Sequence, residues 1–235
     1  MQNARGSRIP IALLALLTGC AAAPGPAEAE TQAIPAEGPA AEAATRVQQL
    51  FDSAAAISGD ESLPADARRA QIDHLLEPFL DPTLLALVAL GSHAERFDRD
   101  EFTDFSYECA RFVTTSLLRR FASTPGEASQ VESARFDAER GVVLVTARGT
   151  RSLAGYPGLR RKLEARQPVE IELALRQRRE EWRLIGMRRG GVDLGRSFRE
   201  QFAAALEQED PSAVIAQLRE RNRQDDASNP FDAGQ

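Results

Sequence analysis

Two cysteines, two histidines and a large set of arginines are the residues in this chain with chemistry beyond packing. Cys20 and Cys109 are too few for a disulfide framework. His74 follows Asp73 and His93 follows Ser92, so each has an acid or a hydroxyl beside it. No G-x-S-x-G, H-E-x-x-H, C-x-x-C, G-x-G-x-x-G or P-loop spacing accompanies them. A minimal acid–base site would need one of these histidines, with Asp104 or Asp193, inside a hollow. Carboxylates at helix starts more often cap the helix. Nothing in the residue set asks for a metal or another cofactor. Lys162 is the single lysine among 29 basic residues, and 35 acids outweigh them to give a formal net charge of −6. An acidic chain lacks the basic face that nucleic acid requires, so no nucleic-acid partner is expected.

Cys20 has its own context. Arg5 and Arg8 precede a short apolar run from Ile9 to Leu17, which has the form of a secretory leader and is too short to span a membrane. The run ends in Leu17-Thr18-Gly19-Cys20, which resembles the bacterial lipobox. That resemblance implies cleavage before Cys20 and lipidation of its sulfur. Loss of residues 1–19 removes two positive charges and no negative ones, leaving −8. Ala21 and Ala22 lack the Asp that resembles an inner-membrane retention mark, which favours the outer membrane. Residues 20–44, rich in Ala, Pro, Glu and Gly, form an expected disordered tether.

The elements that must position any site follow in a clear order. Val47, Leu50, Phe51 and Ala54 make an amphipathic helix over Thr45–Ile57, and a second runs over Pro64–Leu76. Asp81-Pro82 opens a third that is apolar nearly all round and stops at Gly91; such a helix is expected to be buried. The longest covers Asp98–Phe121. Phe102, Phe105, Cys109, Phe112 and Ser116 share one face, widened by Val113, Leu117 and Phe121. Core packing is the plainer reading of this stripe, and the wall of a ligand cavity is the functional alternative. Strands follow at Gln130–Asp137, Val142–Arg148, from Pro168, and Trp182–Val192. In the third, Val169, Ile171, Leu173 and Leu175 alternate with polar residues. Helices from Asp193 and over Pro211–Asn222 close a domain of residues 45–223, with a loose tail at 224–235. The fold class is α+β: an antiparallel sheet of about four strands against a helical layer, with an apolar cavity between.

Leu80-Asp81-Pro82 to Leu90-Gly91, then Phe102-x-x-Phe105, Glu181-Trp182-Arg183-Leu184-Ile185, Gly191-Val192-Asp193-Leu194 and Phe198-Arg199-Glu200-Gln201-Phe202 occur in series. This series resembles the MlaC/toluene-tolerance family of periplasmic phospholipid carriers, over residues 45–222 and most specifically over Trp182–Phe202. Asp193 departs from the family's usual Ser, Ser92-His93-Ala94 departs after Gly91, and the lipobox is unusual among members that are generally soluble. The resemblance implies a non-enzymatic carrier that shuttles glycerophospholipid between the inner and outer membranes. Its implied partners are phospholipid, an inner-membrane ABC lipid transporter complex, an outer-membrane lipoprotein, and the membrane itself through the anchor. The implied cavity lining is Leu84, Leu87, Val88, Phe105, Phe112, Val143, Val145, Leu173, Leu175, Ile185 and Met187. Arg148, Arg151 and Arg188 are headgroup candidates, because guanidinium forks match phosphate. A carrier of hopanoid or another hydrophobic ligand, and a structural envelope lipoprotein with a filled core, stay open as alternatives.

Overall fold

The computed structural model describes residues 34–35, 37–127, 129–150 and 168–232. Cys20, the leader and Arg151 lie outside them. Helix α1 (Pro39–Gly59) opens where Gly38, at φ 91°, turns the chain into Pro39. It starts before the Thr45 expected as its cap, which takes residues 39–44 out of the expected tether. The reason is packing: Ala40, Ala43 and Ala44 are buried and extend the stripe of Val47, Leu50, Phe51 and Ala54 backwards by two turns. Alanine spacing of this kind is a helical signal that overall composition hides.

Helix α2 (Ala65–Leu76) buries Ile72 and Leu76, and a tight turn at Glu77–Phe79 leads to Leu80, whose backbone bridges to Leu184. Asp81 caps α3 (Pro82–Leu90) by accepting from the Leu84 amide at 3.0 Å, and Gly91, at φ 56°, ends it. The expectation that α3 is enclosed on all sides does not hold. Leu85, Ala86, Ala89 and Leu90 are buried, Leu84 and Val88 are half-buried, and Leu87 is 45% exposed. A helix of nine residues at the rim of the domain packs mainly on α4 and α5, so its outer side meets no element. Helix α4 (Arg99–Ala122) begins with a capping box: Asp98 accepts from the Asp100 and Glu101 amides, while Glu101 accepts from the Asp98 amide.

Strands β1 (Gln130–Asp137), β2 (Val142–Thr150), β3 (Pro168–Arg178), β4 (Glu181–Arg189) and β5 (Val192–Asp193) form an antiparallel sheet in chain order. Val169, Ile171, Leu173 and Leu175 are buried as their alternation requires. The expected last strand divides at Gly190-Gly191, both at positive φ, so the sheet has five strands rather than four. A register shift between Ala174 and Leu175 makes Ile185 the extra residue of a bulge, with Gly186 opposite Ala174 and Leu184 opposite Leu175.

Asp193 caps α5 (Leu194–Leu206) by accepting from the Arg196 amide at 2.9 Å, a structural role for that carboxylate. Helix α6 runs Pro211–Asp226, beyond the expected end at Asn222. The stretch expected to be loose is docked through Asp232, because it carries partners for the helices beneath. Asp225 pairs with Arg119 at 2.8 Å, Asp226 pairs with Arg69 at 2.7 Å and with Arg111, and Phe231 is buried with the Arg68 guanidinium over its ring. Buried Glu108 ties α4 to α6 by accepting from Arg219 and Asn222.

Candidate functional site

A hollow of about 340 Å³ lies between α1, the C-terminal half of α4 and the inner face of β3 and β4. Helix α1 contributes Val47, Leu50 and Phe51, and the segment after α2 contributes Phe79 and Leu80. From α4 come Val113, Leu117 and Phe121, one helical stripe at steps of four. The sheet supplies Ile171, Leu173 and Leu175 from β3 and Leu184 and Met187 from β4. The bulge at Ile185 allows Leu184, Met187 and Arg189 to face the same side, which simple alternation would forbid.

Apart from Ser116, the polar groups gather at one end. Arg119, Arg120, Ser123, Thr124, Glu127, Ser129 and Arg189 belong to the end of α4, the segment that follows it and the end of β4. Strand register fixes the direction of this gradient. Ile171 lies opposite Arg189, Leu173 opposite Met187, and Leu175 opposite Leu184, which also bridges to Leu80. From Ile171 to Leu175 the wall changes from arginine to hydrocarbon over about 13 Å of strand. Burial, with a smaller contribution from the charge of Arg189, pushes the Arg120 guanidinium down to about 10. Arg120 is thus a cation at neutral pH in surroundings that oppose its charge, with its Nη1 donating to Thr124 Oγ1 at 2.6 Å. The β2 backbone comes close here: a Cβ built on Gly149 would sit 2.6 Å from Ser129 Oγ and 3.2 Å from Arg120 Nη2.

A second, smaller hollow of about 60 Å³ lies on the other side of the Met187 and Phe198 side chains. Leu85, Val88 and Ala89 of α3 line it with Cys109 and Ile185. Burial pushes the Cys109 thiol up to about 12, so it behaves there as a small apolar residue.

Of the expected lining residues, Leu173, Leu175 and Met187 meet in the larger hollow, and Val88, Ile185 and Met187 in the smaller. Leu84, Leu87, Phe105, Phe112, Val143 and Val145 line neither. Phe105 packs edge-on between Phe97 and Phe202, with centroids 5.3 and 5.1 Å away, and Phe112 packs on Phe198 at 5.7 Å. Val143 and Val145 are fully buried in the core. The aromatic stripe of α4 therefore divides: Phe105 and Phe112 are core, Cys109 borders the smaller hollow, and the Val113–Leu117–Phe121 flank is wall of the larger one.

Arg148 and Arg188 face away from both hollows. Arg148 pairs with Glu132 at 3.0 Å and Arg188 with Glu172 at 3.5 Å, in the alternation opposite to Met187. The arginines at the cavity are Arg120 and Arg189 instead. Arg120 had a legible signal, since it follows Val113 and Leu117 at steps of four and three on one helix face. Arg189 had one too, since it stands two residues beyond Met187 on the same strand face; the bulge adds Leu184 to that face. His74 is largely exposed beside Glu77, and neither His74 nor His93 lines a hollow. No helix among the described residues is long and apolar enough to cross a membrane.

No curated protein matches the chain. Among solved structures, it resembles a phospholipid-binding protein from Ralstonia solanacearum, determined in complex with a phospholipid. The TM-score is 0.61 at 16% identity, covering 78% of this chain and 98% of that one. At that identity the likeness speaks for the fold. The family model for the MlaC protein matches residues 45–220, which takes in every wall of the larger hollow. On that match, and on the α+β architecture just described, this chain belongs to the MlaC family.

Proposed function

We propose that this protein is a phospholipid-binding carrier of the bacterial envelope. Its acyl chains lie against Val47, Phe51, Leu173 and Leu175, and its phosphate sits at the Arg120–Arg189 end. The observation that carries this reading is the one-directional gradient of the larger hollow, which matches an amphiphile with an anionic head. The MlaC family membership and the phospholipid complex of the Ralstonia protein support the same ligand class. The physical need for such a carrier is large. Two chains of ~16 carbons hold about 30 methylenes, each worth ~0.8 kcal/mol out of water, so unaided passage through an aqueous periplasm faces roughly 24 kcal/mol. A binding and transport role of this kind needs no catalytic group.

The family and the leader-like start of the sequence support a setting as well. We place the protein in the periplasm, lipidated at Cys20 and held at the outer membrane by that anchor. It exchanges phospholipid with an inner-membrane ABC lipid transporter and an outer-membrane lipoprotein in an Mla-type system. Purified protein mixed with vesicles containing fluorescent phosphatidylglycerol should extract lipid into a soluble complex. Leu173→Asp, which places a charge on the wall of the hollow, should abolish extraction. Failure of the wild-type protein to take up lipid would overturn the reading.

A further inference from the structure

Beyond the carrier reading, the geometry points to the ridge formed by α3 and the β3–β4 turn as a docking face for the surface of an anionic lipid bilayer. Leu84, Leu87 and Val88 lie at steps of three and one and make one apolar stripe along the outer side of α3. Leu87 is 45% exposed, Leu84 and Val88 are half-buried, and Pro82 and Thr83 before them are exposed. Leu84 and Leu87 line neither hollow, so enclosure of a ligand does not account for them.

Arginines stand at both ends of this stripe. Arg178, Arg179 and Arg183 line a concavity of about 380 Å³ with Asp81, Pro82 and Thr83 at the start of α3. At its far end the Arg199 Nε donates to the Val88 carbonyl at 3.2 Å. Two arrangements that lower stability keep charge here. Arg176 stands directly opposite Arg183 across β3 and β4, a like-charge pair. Arg179 occupies the turn at φ 50°, where glycine would be relaxed. Part of the charge is matched within the ridge, since Asp81 pairs with Arg178 and Glu181 with Arg183. Among the described residues no carboxylate pairs with Arg176, Arg179 or Arg199, and Glu180 is the one acid of the turn without an arginine. Positive charge is therefore in surplus along the ridge, on a chain whose net charge is −6. That polarity turns the ridge towards a negative surface and keeps the acidic remainder away from it. The outer side of α3 meets no other element, so it protrudes rather than forming a groove. Its leucines can enter the acyl boundary while the guanidinium groups stay level with the phosphates.

Vesicle flotation tests the docking face with a chain of residues 20–235 carrying Cys20→Ser, which keeps the whole folded domain and removes the thiol that would take an acyl anchor. The vesicles are phosphatidylcholine alone, or phosphatidylcholine mixed equally with phosphatidylglycerol. The chain is expected to float with the mixed vesicles, less so as salt is added, and to leave the uncharged ones unbound. In that background Arg179→Gly should weaken binding about fivefold, through one charge lost from the membrane surface. The same change should raise the thermal midpoint, because glycine relaxes the turn, an effect that separates docking from stability. Leu87→Asp should weaken binding about tenfold, through one leucine withdrawn from the acyl boundary. Arg148→Gln, on the outer face of the sheet, should leave binding unchanged. No preference for the mixed vesicles would overturn the proposal and leave the ridge to a protein partner. Unchanged binding in both Arg179→Gly and Leu87→Asp, or an equal loss in Arg148→Gln, would overturn it as well. The extent of fluorescent phosphatidylglycerol uptake at equilibrium reads the carrier function separately, and Leu87→Asp is expected to retain it.

Discussion

Among single residues, Arg120 and Asp226 show opposite uses of charge. Burial disfavours the Arg120 cation, and an anion brought beside it would relieve that opposition. Arg120→Gln should therefore weaken binding of phosphatidylglycerol by tenfold or more, as loss of a charge-assisted hydrogen bond implies. Binding of an uncharged diacylglycerol should change far less, and titration calorimetry with both lipids separates the two effects. For Asp226, partial burial opposes ionisation, but hydrogen bonds from Arg111 and Arg69 outweigh it and hold the carboxyl below its ordinary value. A carboxylate depressed in the folded state contributes stability above about pH 4, and that contribution is lost as pH falls through its folded value. Asp226→Asn should thus lower stability at pH 7 and flatten the loss below pH 4, read by denaturant titrations across pH 2–7.

At the scale of elements, the start of α1 and the β3–β4 turn carry testable energetics. Ala43 is fully buried, so Ala43→Asp should destabilise the domain by about 2–4 kcal/mol through an unpaired buried charge. A chain truncated to begin at Thr45 should lose about 2 kcal/mol relative to one beginning at Gly38, from the apolar contacts of Ala40, Ala43 and Ala44. The turn places Arg179 at φ 50° and Glu180 at φ 67°, a backbone that suits Asn-Gly far better. Replacing Arg179-Glu180 by Asn-Gly should raise stability by about 1 kcal/mol, visible as a higher thermal midpoint. These elements also show what a sequence can reveal. Period-2 alternation identified the inner face of β3 without error, and Asp81, Gly91 and Asp98 marked helix ends by simple capping chemistry. What escaped was set by tertiary geometry. Nothing local announces the Ile185 bulge, yet it decides that Leu184 faces the hollow beside Met187 and Arg189. Nor does the α4 stripe say which of its flanks meets the sheet, so Phe105 and Phe112 looked as suited to a cavity wall as Val113 and Leu117. The arginines of the outer sheet face resembled phosphate ligands by type alone, and their register with glutamates was invisible before the strands were paired.

For the whole molecule, the central fact is that helices and sheet meet without filling the space between them. Most folds remove such voids, since cavities lower stability in proportion to their size. Here the void is kept, apolar along its length and cationic at one end, while the surrounding core is closed by the Phe97–Phe105–Phe202 cluster and the ion pairs that lock α6 onto α4. A carrier needs this division: a rigid shell and a greasy interior whose contents can leave again for a bilayer. The most direct test is native mass spectrometry of the protein purified from bacterial envelopes without added lipid. The expected result is a complex heavier than the bare chain by the mass of one glycerophospholipid, released as such on extraction. A bare chain that also gains no mass after incubation with phospholipid vesicles would contradict it.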